Sequence, residues 1–88
     1  MKQTYEEIVE ELSEMNPEAL LADGFENALI GTAFRFNNGP LALYDYDKCV
    51  ETLVSRDTMT HEEAVEWMGF NVLGSWVGEG TPVFAVIR

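Results

Sequence analysis

Few side chains in this sequence can do covalent or acid–base chemistry, and their spacing decides most of what can be said about them. There is one histidine and one cysteine. His61 precedes Glu62 and Glu63, neighbours that can orient an imidazole for general-base work. No serine, cysteine or second histidine stands at a spacing that completes a catalytic set, so an exposed histidine in the first turn of a helix is the favoured reading. Cys49 lies four residues beyond Asp45, close to an expected helix start, where the helix dipole lowers a thiol pKa. It shares a face with Val50 and Leu53, however, and a buried cysteine behaves as a small hydrophobe. A core role is therefore expected. With one cysteine no intramolecular disulfide can form.

Metal and phosphate signatures are incomplete. Asp45, Asp47 and Glu51 offer carboxylates, but a calcium loop needs a third acid and a glycine where Cys49 and Val50 stand, and Lys48 intrudes. Zinc-binding spacings are absent. The run Gly74-Ser75-Trp76-Val77-Gly78-Glu79-Gly80 is rich in glycine but lacks the lysine of a phosphate loop and carries an acid instead. No metal or cofactor is expected. If a small ligand binds, the start of the third helix and the glycine-rich segment would have to converge, placing Asp45, Asp47, Asn71, Trp76 and Glu79 around it.

Charge is the outlying property. Sixteen acids face five bases, a net charge of −11. Such a chain repels nucleic-acid phosphates and anionic membranes. The bases Lys2, Arg35, Lys48, Arg56 and Arg88 are scattered rather than clustered, which argues against direct nucleic-acid binding. Half of the acids fall in residues 1–27, where Lys2 is the lone base. A helix presenting Glu7, Glu11 and Glu14 could occupy a basic groove by imitating a phosphate track. The plainer reading is a solvated, solubilising helix face. The opening residues Met1 to Glu11 are acidic where a signal peptide is basic and then apolar. No apolar run reaches the ~18–20 residues needed to cross a bilayer. A cytoplasmic protein with no membrane association is expected.

These residues must be positioned by a small set of elements. Tyr5, Ile8, Val9, Leu12 and Met15 recur at helical spacing, and Thr4 with Glu7 forms a capping box. Asn16 and Pro17 suit the start of a second helix over Glu18 to Asp23, stopped by Gly24. Residues Phe25 to Phe36 suit a strand, with Gly31 marking a bulge or a close backbone approach. Asn37-Asn38-Gly39-Pro40 reads as a turn, and Leu41 to Tyr44 as the returning strand. Asp45 caps a third helix that buries Cys49, Val50, Leu53 and Val54 and ends near Arg56. Thr60 and Glu63 form a second capping box, opening a fourth helix with Ala64, Val65, Trp67, Met68 and Val72 on its apolar face. Its end falls either after Met68 or near Val77. Val83 to Ile87 reads as a last strand. The expectation is one α+β domain over residues 1–88, in the order α-α-β-β-α-α-β. The simplest packing is a three-stranded antiparallel sheet with helices on one face.

Several stretches resemble a family of small, uncharacterised phage-encoded proteins. They are Ala22 to Ala28, Tyr44-Asp45-Tyr46-Asp47-Lys48-Cys49, Met59-Thr60-His61-Glu62-Glu63-Ala64, Phe70 to Glu79 and Thr81-Pro82-Val83-Phe84. Together they span roughly residues 20–84. The resemblance implies action inside an infected bacterial cell and supplies no catalytic residue.

Acidity, small size and this resemblance favour a phage accessory protein that binds a basic surface of a host or defence protein, as an inhibitor or nucleic-acid mimic. Glu7, Glu11, Glu14, Phe70 and Trp76 are the candidate contacts. Two alternatives remain: a ligand-binding or enzymatic domain using the residues named above, and a structural protein that self-associates into a homodimer through its last strand. Joint exposure of Phe70, Trp76 and Phe84 would mark an interface.

Overall fold

The computed structural model describes residues 4–34, 39–75 and 77–87. Lys2, Arg35, Phe36, Asn37, Asn38, Trp76 and Arg88, which enter the expectations above, lie outside them. The fold is α+β, with three α-helices and a three-stranded sheet among the described residues.

Helix α1 spans Tyr5–Met15. The Thr4 hydroxyl accepts the Glu7 N–H at 3.2 Å, and the Glu7 carboxylate accepts the Thr4 N–H at 2.8 Å. This reciprocal pair satisfies two amides that an uncapped helix leaves unpaired. Ile8 and Leu12 are buried, whereas Met15, at the end of the expected apolar stripe, is exposed.

No helix forms over Glu18 to Asp23. Asn16 ends α1, and its side-chain oxygen then accepts the Glu18 N–H at 3.2 Å, closing a turn. Ala19 N–H donates locally, to the Asn16 carbonyl at 3.0 Å, but two later amides go to distant partners. Leu20 N–H donates to the Gly80 carbonyl at 2.9 Å, and Ala22 N–H donates to the Tyr44 hydroxyl at 2.8 Å. A six-residue helix is marginal by itself, and these tertiary bonds use the donors it would need.

A short 3-10 turn, Glu26–Ala28, leads into strand β1, Leu29–Ala33. The strand is shorter than expected, and Phe25 is a buried residue preceding the turn. Strand β2, Leu41–Asp45, pairs with β1 antiparallel. The register shifts between Leu29 and Gly31, placing Ile30 as the extra residue of the expected bulge.

Asp45 is the N-cap of α2, Tyr46–Arg56, its carboxylate accepting the Lys48 N–H at 3.2 Å. Helix α3, His61–Met68, opens with the Thr60–Glu63 capping box. Its α-helical bonding stops at Met68 and continues as one wide π turn over Gly69–Leu73, in which Gly74 N–H reaches the Gly69 carbonyl at 3.1 Å. Val65, expected on the buried face of this helix, is exposed instead.

Strand β3, Val83–Ala85, lies beside β2 and completes the order β1-β2-β3. The pairing of β2 with β3 is parallel, which corrects the expected all-antiparallel sheet. Residues 46–82 separate the two strands, and their helices provide the long crossover that parallel pairing requires. The core gathers Ile8 and Leu12 of α1, Phe25, Ala28 and Leu29, Ala42 and Tyr44 of β2, Cys49, Val50 and Leu53 of α2, and Ala64 and Met68 of α3. The Tyr44 ring stacks on Phe84, which is half-buried against the core, with centroids 5.2 Å apart.

Candidate protein-binding surface

Cys49 and His61 occupy different environments, one in the core and one at the surface. Cys49 is fully buried in the core. Burial, reinforced by the Asp45 charge, pushes its thiol up to about 12, so it stays protonated and inert at neutral pH. His61 is exposed in the first turn of α3 and lines a cleft with Asp47, Glu51 and Val54. Among the described residues no group of three or more His, Cys, Asp or Glu could hold a metal ion.

Of the alternative ligand site, Asp47 and Asn71 line different clefts. Asp45 is occupied in capping α2. Asp47 belongs to the His61 cleft. Asn71 lies on the π turn, its side-chain amide donating to the Trp67 carbonyl at 3.1 Å, and it borders two other clefts. Glu79 is exposed in the loop before β3. Trp76 lies outside the described residues.

The most distinctive surface is built around α3 and its π turn. Phe70 is 79% exposed, an unusual position for a large aromatic side chain whose burial is worth about 1.5–3 kcal/mol. It borders a cleft of about 500 Å³ with Met59, Trp67, Asp57, Glu63 and Glu66. A second cleft, of about 440 Å³, lies between residues 20–25, the π turn and the approach to β3, and includes Leu20, Phe25, Val77, Pro82 and Phe84. Trp67 and Asn71 line both clefts, so the two are contiguous.

Trp67 is held from beneath. Its ring packs at 6.3 Å on Phe25, in a tilted arrangement. The Arg56 guanidinium sits 5.8 Å from the Phe25 ring centre and donates to the Gly24 carbonyl at 2.6 Å. Two further bonds, each 3.1 Å, join it to the Asp57 carboxylate. That contact draws the Asp57 carboxyl below its ordinary pKa. Gly24 adopts φ +91°, a left-handed backbone that favours glycine, and an added Cβ would meet the guanidinium at 3.1 Å. The turn at Gly24 thus fixes Phe25, and Phe25 fixes the underside of Trp67.

The surface is framed by acid. Asp57, Glu63 and Glu66 border the first cleft, and Asp23 borders the second. One Glu63 oxygen is held by the Thr60 N–H at 2.9 Å, which orients that carboxylate. Arg56 is adjacent but already bonded to Asp57 and Gly24. Elsewhere, Glu7, Glu11 and Glu14 are exposed on α1 as expected, with Glu7 also serving the helix cap.

The two described residues of the expected aromatic interface differ in exposure. Phe70 is exposed, whereas Phe84 is half-buried against Tyr44. Sequence spacing assigns Trp67 to the core and Glu63 to capping, and singles out neither Glu66 nor Met59. Helical periodicity marks Trp67 as apolar, but its packing on Phe25, 42 residues earlier, is not visible in that pattern. No protein-family model, curated protein or solved structure matches this chain.

Proposed function

We propose that this chain is a small accessory protein that acts by binding another protein, with a basic surface of a host or defence protein as its target. The observation that carries this reading is Phe70, exposed at 79% beside an acid-framed cleft. Interfaces combine aromatic anchors with a polar rim in this way. The net charge of −11 supports a basic partner and disfavours phosphate or anionic-membrane ligands. The resemblance to small phage-encoded proteins suggests that the encounter takes place in an infected bacterial cell, with inhibition of the target as the outcome. The exposed glutamates of α1 would steer association rather than anchor it.

The test is affinity capture of bacterial proteins by the tagged chain at moderate salt, with retained proteins identified by mass spectrometry. A specific partner, released progressively as salt rises, is expected. Failure to retain any protein would overturn the reading.

A further inference from the structure

We infer that the two clefts flanking Trp67 form one bipartite site for a linear segment of the partner, in which two large apolar side chains are flanked by lysine or arginine. This rests on the protein-binding reading above and specifies the chemistry that the surface recognises.

Three observations carry it. The first is continuity: Trp67 and Asn71 are shared by both clefts, so a chain crossing the Trp67 ridge touches both without a gap. The second is capacity. At about 500 and about 440 Å³, each cleft is large enough to hold one aromatic or long aliphatic side chain. A drug-sized ligand is normally buried over 70–90% of its surface, whereas these clefts lie open to solvent along a ridge and suit an extended segment. The third is charge. Glu63 and Glu66 border one cleft and Asp23 the other, while Asp57 and Arg56 offset each other in an ion pair. A positively charged flank gains from these carboxylates, and an acidic one is repelled.

The apolar parts would supply affinity and the carboxylates selectivity. Burying Phe70 and the open face of Trp67 under a partner removes apolar area from water. The carboxylates at the rim remain solvated and act mainly on encounter rate and on the choice of partner.

The experiment pans a displayed random peptide library against the full chain, then measures the enriched peptides as labelled synthetic probes by fluorescence anisotropy. Enriched sequences should carry two large apolar residues with flanking lysine or arginine. Their affinity should fall roughly tenfold with F70D and again with E66K. Both variants should keep the wild-type melting curve, because Phe70 and Glu66 are exposed. Enrichment of acidic or uncharged sequences, or probes that bind both variants as tightly as the wild type, would overturn the inference. A captured bacterial protein that the enriched peptide does not displace also overturns it, while leaving the protein-binding reading intact.

Discussion

The Tyr44 hydroxyl accepts the Ala22 N–H at 2.8 Å, tying the central strand of the sheet to the irregular segment that follows α1. Tyr44 is completely buried, and its ring is stacked on Phe84 of the neighbouring strand. One side chain thereby joins β2, β3 and one wall of the second cleft. A buried phenol needs a partner for its oxygen, and an irregular segment needs partners for its amides. This single bond meets both requirements.

Removing that hydroxyl tests the arrangement. Tyr44→Phe keeps the ring and its stacking but leaves the Ala22 amide unpaired. It should cost about 1–2 kcal/mol, read as a lower urea midpoint with an unchanged m-value. A neutral result would mean that water replaces the hydroxyl.

Gly80 is the second tether. Its carbonyl accepts the Leu20 N–H at 2.9 Å. A Cβ added there would strike the Glu18 carbonyl oxygen and lie 3.3 Å from the Ala19 Cα, backbone atoms that cannot swing aside. Gly80→Ala should destabilise by about 2–3 kcal/mol, or roughly 8–24 °C in melting temperature for a domain of this size. Gly31→Ala is the control. No atom lies within 4 Å of a Cβ at Gly31, so its effect should stay within about 0.5 kcal/mol.

Alkaline pH should unfold the protein through Cys49. Burial raises its folded pKa from 9.0 to about 12, so above pH 9 the unfolded chain loses this proton first. The stabilisation is complete below pH 9 and is lost as pH rises toward 12, at up to about 1.4 kcal/mol per pH unit. Tyr44, also raised by burial from 10.0, adds a loss of the same sign at higher pH. Urea midpoints measured from pH 7 to 11 should show the decline, and Cys49→Ala should flatten its first part. In the native protein at pH 8, a thiol reagent should react with Cys49 only as fast as the fold opens.

The capping boxes should act on stability alone. Thr4→Ala and Thr60→Ala should each cost about 1 kcal/mol, measured by thermal melts. Each substitution removes the hydroxyl that accepts the third helical N–H but keeps the backbone N–H that holds the glutamate carboxylate. Glu63 therefore stays beside the first cleft, and partner binding measured where both variants are folded should be unchanged.

Local chemistry accounts for what is legible in the amino-acid sequence. Helices α1, α2 and α3 begin at Thr4, Asp45 and Thr60, because an N-cap is a contact between residues three apart. Gly31 announces the bulge, and the apolar neighbours of Cys49 place it in the core. The segment over Glu18 to Asp23 departs from its expected helix for the opposite reason. Its composition suits a helix, but its amides answer to Gly80 and Tyr44, partners that sequence spacing cannot reveal.

Composition and contacts within one turn are enough to establish the charge, the main helices and the lack of a complete calcium, zinc or phosphate-loop signature. The parallel pairing of β3 with β2 belongs to the assembled fold alone, because strand direction follows the path of the whole crossover. So does the choice of which aromatics face water. Phe84 lies over Tyr44 and Phe70 stands out from the π turn, a difference set by what each residue meets across the fold rather than by its own chemistry.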